Sequence, residues 1–270
     1  MNKKYAIRIA RWAAAVLVVG YFFPLLTIFL IVCGLIDLSR HKVWSASLFA
    51  RYFAGNGIVT WLLSPLNLLL DLISKRLPYE LRPADFPEPA RKEIEDMLGT
   101  FEAKKPEILA ELRSLMGNKR RGMLFYKWYG KNIHASVPAF NKEYTYIKTI
   151  GVSVFNARES TSVHFGPLRL TIRLLYNLSP KRSDNVFIEV NGKKHFWHDD
   201  PLFIFDDTIQ HRSVNEEDGE RFCVFVDVLR PSRFPALQNA IVALFAFVMS
   251  GVNRIFYKNW DMLGGQKQPA

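Results

Sequence analysis

Two histidines and two arginines in the second half of the chain are suited to metal and anion chemistry. His164 lies in Val163-His164-Phe165-Gly166-Pro167, where Gly-Pro marks a turn just ahead of an apolar run. A histidine at the rim of a β structure can aim a neutral imidazole at a metal, although a lone histidine is more often simply a satisfied side chain. His211 closes Phe205-Asp206-Asp207-Thr208-Ile209-Gln210-His211. The paired aspartates signal a turn, and one of them could accept from the second ring nitrogen and so orient the ligand. Arg221 opens the run Arg221-Phe222-Cys223-Val224-Phe225-Val226-Asp227. Strand alternation puts Arg221, Cys223, Phe225 and Asp227 on one face and Phe222, Val224 and Val226 on the other. An arginine on the inward face of a barrel requires an anion, because a buried unpaired charge is strongly unfavourable. A dicarboxylate would supply one in bidentate geometry. Arg173 interrupts Ile172-Arg173-Leu174-Leu175 in the same way; for either arginine alone, a structural ion pair is an equally good reading.

The elements that would position these residues are short strands. From Tyr144 onward, segments 149–155, 168–178, 186–190, 202–205 and 222–228 carry strand patterns, and Asn191-Gly192 signals a hairpin. Ahead of them, 90–116 reads as helical, with Ile94, Met97, Leu98 and Phe101, then Ile108, Leu109, Leu112 and Leu115. Pro106 separates two helices, and a proline-rich linker covers 82–89. Many short strands behind a helical leader predict a mainly β domain, either a β-sandwich or a jelly-roll barrel.

The ends of the chain are apolar. Lys3, Lys4, Arg8 and Arg11 precede segment 12–36, which holds no charge over 25 residues. That length predicts a retained membrane anchor, with Pro24 offering a re-entrant hairpin as the alternative. Segment 52–70 is uncharged but interrupted by Gly55, Asn56, Gly57 and Pro65, which suits an interfacial helix. Segment 234–253 could span, lie flat or pack on the soluble domain. The resulting division is 1–40 anchor, 41–89 membrane-associated segment and linker, 90–233 catalytic domain with its leading helices, and 234–270 hydrophobic helix and tail.

Hydrophobic residues at 49% and charged residues at 23% fit neither a disordered chain nor a polytopic membrane protein. The net charge of +11 favours an anionic partner. Between residues 112 and 141, Arg113, Lys119, Arg120, Arg121, Lys127 and Lys131 occur without an acid, a cluster able to grip lipid phosphates. No nucleic-acid-binding motif accompanies it. Cys33 and Cys223 suit a reducing, cytoplasm-facing domain. His195 and His198, three apart on a strand, point to opposite faces and do not suggest a shared metal.

Taken together, His164 with Arg173 nine residues on, and His211 with Arg221 ten residues on, resemble the aspartyl/asparaginyl β-hydroxylase family. The matching pieces are His164-Phe165-Gly166-Pro167, Phe205-Asp206-Asp207 with His211, and Arg221 leading to Val226-Asp227-Val228-Leu229-Arg230-Pro231. The resemblance implies a double-stranded β-helix, a jelly-roll or cupin-like barrel, using Fe(II), 2-oxoglutarate and O2. It makes His164 and His211 the iron ligands, and makes Arg221 the partner of the far carboxylate of 2-oxoglutarate, assisted by Arg173 and Ser153. Within the family the chain is similar to bacterial lipid A 2-hydroxylases, through Phe125-Tyr126-Lys127-Trp128-Tyr129-Gly130, Phe187-Ile188-Glu189-Val190-Asn191-Gly192 and Asp85-Phe86-Pro87-Glu88. That similarity implies hydroxylation of a lipid acyl chain at a bacterial inner membrane, on the cytoplasmic face. Two departures stand out. Gly166 occupies the position where lipid-acting members carry an aspartate, as it does in the peptide-hydroxylating members, and Leu175 replaces a family histidine. A peptide hydroxylase and a non-catalytic binding protein are the competing readings.

Overall fold

The chain's computed structural model describes residues 3–75, 77–78, 80–179, 182–249 and 259–265. Twelve strands form two sheets among these residues. They are β1 (Glu80–Leu81), β2 (Arg121–Trp128), β3 (Lys131–Asn132), β4 (Ile147–Phe155), β5 (Glu159–Ser160), β6 (Thr171–Asn177), β7 (Val186–Val190), β8 (Lys193–Phe196), β9 (Leu202–Phe205), β10 (His211–Asn215), β11 (Arg221–Leu229) and β12 (Asp261–Met262). The larger sheet runs β1-β9-β6-β11-β4-β2-β12, with β3 at the edge of β2. The smaller runs β5-β10-β7-β8. Pairing is antiparallel except where β12 meets β2. Two facing antiparallel sheets of this kind make a cupin-like β fold, as expected.

Strand β11 explains the layering. Every one of its residues is buried, so both faces of the larger sheet must be covered. Its Phe222, Val224 and Val226 join Leu124, Val152, Ile172 and Leu174 in a core against the helices α6 (Glu88–Ala103) and α7 (Lys105–Met116). Those helices contribute Ile94, Met97, Phe101, Ile108 and Leu112, the residues that their 3.6-residue period marked. The opposite face, with Phe125, Leu175, Cys223 and Phe225, packs on Val186, Ile188 and Val190 of the smaller sheet. The order is therefore helices, larger sheet, smaller sheet. The predicted hairpin forms between β7 and β8, with Asn191 at φ 54° and Gly192 at φ 79°, the pair of left-handed residues that a type I′ turn demands.

The strands begin earlier than predicted. β2, over 121–128, had read only as a basic and aromatic run. Several charges of the basic cluster have carboxylate partners: Arg120 and Arg121 both bond Glu159, and Arg113 bonds Glu220. Lys127 is buried, donating to Asn132 Oδ1 at 2.5 Å.

The N-terminal segment is also corrected. Segment 12–36 is not one spanning helix. It breaks at Phe23, φ −134°, into α1 (Lys3–Phe22) and α2 (Pro24–Leu38). The proline has no N–H to continue the ladder and opens α2 instead. The two helices fold back as a hairpin: Trp12, Val16 and Leu17 line the same apolar groove as Ile31, Leu35, Phe53 and Trp61. At about 1.5 Å per residue, the 15 residues of α2 reach about 22 Å, short of the roughly 30 Å of bilayer hydrocarbon. Among the described residues no helix is long and apolar enough to cross a membrane. Segment 52–70 likewise divides, into parts of α3 (Ala46–Ala54), α4 (Ile58–Leu62) and α5 (Ser64–Ile73). The last helix, α8 (Pro235–Met249), lays Val242 against Leu70, Leu168 and Leu229; positions 250–253 of segment 234–253 lie outside the described residues.

A buried ionic network docks the hairpin on the barrel. Arg169, fully buried, pairs with Asp37 of α2 and Asp71 of α5. Arg230 reaches Asp71 at 3.1 Å, and Arg40 reaches Asp206 at 2.5 Å. Three arginines and three aspartates thus neutralise one another where N-terminal helices meet strand ends.

Candidate active site

His164 and His211 come together through the backbone. The two residues are directly opposed: His164 N–H donates to His211 O at 2.9 Å, and His211 N–H donates to His164 O at 2.9 Å. A hydrogen-bonded antiparallel pair sends both side chains to the same face. The ring centroids lie 4.1 Å apart, with the planes 52° from each other. Each ring is oriented by its own chain. His164 Nδ1 lies 2.7 Å from Ser162 O, and His211 Nδ1 lies 2.8 Å from Ile209 O. A carbonyl can only accept, so Nδ1 carries the proton in both rings and each Nε2 keeps a free lone pair. Neither aspartate of the 206–207 turn orients His211, contrary to expectation; the Ile209 carbonyl does so. Burial holds both imidazoles below their ordinary pKa, with the neighbouring His164 further depressing His211. Neutral rings are the form that binds a cation.

The five candidate residues line one cavity of about 90 Å³ between the sheets: Ser153, His164, Arg173, His211 and Arg221, with Phe155, Leu175, Phe205 and Trp260 among the other walls. Arg221 is 3% exposed, yet its Nε and Nη1 have no hydrogen-bond partner among the described residues. Its guanidinium carbon sits 4.3 Å from the Phe155 ring and 6.0 Å from the Trp197 ring. Burial lowers its pKa. Arg173 differs: it bonds Asp227 at 2.8 Å and Asp207 at 3.0 Å, so its charge is already answered by two carboxylates. Among the described residues Arg173 is thus ion-paired, whereas Arg221 is in no ion pair. Ser153 donates from Oγ to the Cys223 carbonyl at 3.1 Å, across the β4–β11 pair.

Leu175 lines the cavity, so an apolar side chain faces it where the resemblance placed a family histidine. Gly166 has a structural reason. A Cβ there would lie 2.5 Å from Cγ of Asp207, and Gly166 N–H donates to the Asp207 carbonyl at 2.6 Å. The Asp207 carboxylate occupies the space of a side chain at 166. Burial pushes Asp207 up to about 7, against the pull of Arg173. Its carboxylate faces a second, smaller cavity with Tyr129, Leu170 and Asp227, on the far side of Arg173.

Phe155 and Trp197, which cradle Arg221, were not singled out from sequence. Phe155 stands two residues after Ser153 on β4, so period-two alternation alone places it on the cavity face. Nothing in the sequence marks Trp197.

The donor set suits a divalent transition metal held by two imidazoles, with its remaining positions left to small ligands. Among the described residues, no group of three or more His, Cys, Asp or Glu side chains could hold a metal ion. The orphaned guanidinium in the same cavity is the complement of a carboxylate.

Residues 103–231 match the family described as Aspartyl/Asparaginyl beta-hydroxylase. An ornithine lipid ester-linked acyl 2-hydroxylase from Rhizobium tropici is 25% identical over 169 residues, a match covering 57% of this chain and 59% of that protein's length. Among solved structures, an oxidoreductase of the 2OG-Fe(II) oxygenase family from Burkholderia pseudomallei aligns with 46% of this chain and 80% of its own, at 9% identity and a TM-score of 0.31. The TT1209 protein from Thermus thermophilus aligns with 44% of this chain and 95% of its own, at 12% identity and a TM-score of 0.31.

Proposed function

The chain belongs, through residues 103–231, to the aspartyl/asparaginyl β-hydroxylase family, close to its lipid hydroxylases, and from that premise we propose that it is a membrane-associated Fe(II)- and 2-oxoglutarate-dependent dioxygenase that hydroxylates a lipid acyl chain. The observation that carries the reading is Arg221, a buried guanidinium with two unanswered donors in the cavity that also holds the free Nε2 atoms of His164 and His211. The iron, when bound with 2-oxoglutarate and O2, supplies the oxidising chemistry. The chain's own residues do the rest. His164 and His211 hold the metal through Nε2, and their carbonyl-bound Nδ1 atoms keep the rings from turning. Arg221 takes the far carboxylate of 2-oxoglutarate, and the Phe155 and Trp197 rings fix the guanidinium plane. Ser153, on the wall of the same cavity, offers a hydroxyl to the cosubstrate. Arg173, tied to Asp207 and Asp227, shapes the wall and sets the local charge. Gly166 offers no carboxylate, so His164 and His211 are the side chains that would hold the metal.

The exposed tip of the α1–α2 hairpin supports a bilayer location. Tyr21, Phe22, Phe23 and Leu25 all face outward, Tyr21 at 83% and Leu25 at 82%. Large apolar side chains gathered and exposed at one tip mark a site for an apolar neighbour. Because α1 and α2 turn back on themselves, the hairpin enters one leaflet and returns, leaving the barrel on the side it started from. We place that side at the cytoplasmic face of a bacterial inner membrane. The substrates to compare are ornithine lipid, named by the Rhizobium tropici relative, and lipid A.

The test is succinate release by the full chain in detergent with Fe(II), 2-oxoglutarate and O2, with each lipid and with none. Lipid-stimulated succinate, with one oxygen added to the acyl chain by mass spectrometry, is the expected result. Succinate stimulated only by an aspartyl or asparaginyl peptide would overturn the lipid assignment while preserving the chemistry.

A further inference from the structure

Both histidine-bearing loops are gripped from one side, by the N-terminal helices. Phe165, next to His164, is buried among Leu38, Leu48, Tyr52 and Trp61. It lies edge-on to Tyr52, with ring centroids 5.7 Å apart, and edge-on to His41 at 5.8 Å. The carbonyls flanking it are taken by side chains of α4, α5 and the turn between α3 and α4. Asn56 donates to Val163 O at 2.6 Å, Thr60 Oγ1 to Gly166 O at 2.9 Å, and Asn67 Nδ2 to Pro167 O at 3.3 Å. Asn67 Oδ1 also accepts from Arg169 N–H at 2.9 Å.

The other loop is treated alike. Arg40 donates to Thr208 Oγ1 at 3.0 Å and to Asp206. Gln210 N–H, adjacent to His211, donates to His41 Nε2 at 3.2 Å. The His41 Nδ1 faces the Leu38 carbonyl at 3.2 Å, which fixes the tautomer and leaves Nε2 as the acceptor. Lys42 N–H donates to Asn191 Oδ1, and Asn191 N–H donates to Gln210 O. One side chain, His41, therefore touches the residue after His164 and the residue before His211.

We infer that the N-terminal helical unit is a positioning device for the metal site, with His41 the clamp that sets the two histidine loops against each other and Thr60 the residue that fixes the His164 loop. The inference rests on the reading of His164 and His211 as metal ligands. It assigns the apolar N-terminal region a role in the site itself, beyond attachment to a membrane. Backbone hydrogen bonds between His164 and His211 set the ligands' faces; the clamp adds a tie from outside the two loops, beside the Gly166–Asp207 contact, the Arg169–Thr208 hydrogen bond at 3.3 Å and the Thr161–Ser213 pair that join them directly.

The test uses the full chain in detergent, titrated anaerobically with Co(II) as a spectroscopic reporter of imidazole ligation, beside apo-protein melting curves. The variants are His41→Phe, which keeps the ring against Phe165 but removes the acceptor, and Thr60→Val, which keeps the shape but removes the hydroxyl. His41→Gln and Thr60→Ser restore each hydrogen bond. Removing a hydrogen bond that holds a metal ligand in place lowers metal affinity about 10- to 100-fold. His41→Phe and Thr60→Val are expected to weaken Co(II) binding at least tenfold and to change its visible bands, while His41→Gln and Thr60→Ser bind within about threefold of wild type. Should His41→Phe fail to fold, Thr60→Val carries the test. Wild-type affinity and bands in the Phe and Val variants would overturn the inference, whatever their melting temperatures. Absence of Co(II) binding by the wild type would overturn the metal reading itself, and the inference with it.

Discussion

Replacing Arg221 with methionine should make the empty protein more stable and the ligand-bound protein less so. The guanidinium is buried with Nε and Nη1 unbonded, and each unmade bond leaves about 1–3 kcal/mol of desolvation uncompensated. The Phe155 ring, 4.3 Å away, returns about 2 kcal/mol. The net penalty is about 2 kcal/mol. Methionine has similar length, no polar atom to satisfy, and leaves little cavity behind. Arg221→Met should therefore raise the apo stability by about 2 kcal/mol, which in a chain of this size is about 4–8 °C in Tm. Wild type in 2-oxoglutarate at a hundredfold its Kd should gain about 2.7 kcal/mol, and the variant nothing. Chemical denaturation and thermal melts, each with and without 2-oxoglutarate, read both effects. An apo variant less stable than wild type would mean that Arg221 already has an internal partner. Retained stabilisation by 2-oxoglutarate would mean that its carboxylate binds elsewhere. Either result refutes the reasoning.

His211→Ala should abolish both succinate release and Co(II) binding while leaving the circular dichroism spectrum unchanged, since the β10–β7 pairing is made by backbone; full activity in that variant would remove the metal assignment. Gly166→Asp should not create a metal ligand. Its side chain meets the Asp207 carboxylate, an overpacking of about 1–3 kcal/mol beside an acid already pushed up to about 7, so a lower melting temperature without tighter Co(II) binding is expected. Adding Asp207→Gly to that variant should recover part of the loss. Stability should also fall in acid through His41. Burial holds it at about 4 in the folded chain, against about 6.5 when unfolded. Above pH 6.5 both states are neutral; as pH falls from 6.5 to 4 only the unfolded chain takes up the proton, so about 3 kcal/mol of stability is lost across that window. His41→Gln should remove that share of the pH dependence, measured by urea denaturation at several pH values.

Much of the barrel was legible because its strands obey a two-residue period with turns at the right places: β7 and β9 carry their predicted limits, and β4 and β11 extend theirs by a residue or two. β2 was missed because the basic residues at its start, Arg121 and the preceding Arg120, read as a solvated run until Glu159, nearly forty residues away, supplies their partner. The single-span reading of segment 12–36 failed at one residue: hydropathy averages over Pro24, whereas the backbone breaks there.

The sequence by itself determined the chemistry on offer: which residue types are suited to metals and anions, their order along the chain, and the side of each strand they occupy. Those follow from residue type and local periodicity, which need no distant contact. Only the tertiary structure decided which arginine is free. Arg173 and Arg221 look alike in sequence, each a cation on an apolar strand, but Asp227 and Asp207 converge on the first, and among the described residues no carboxylate converges on the second. It also decided that His164 and His211 face each other across a backbone bridge, and that helices some hundred residues upstream hold both loops. Burial and pairing belong to long-range contacts, and those exist only once the sheets have closed.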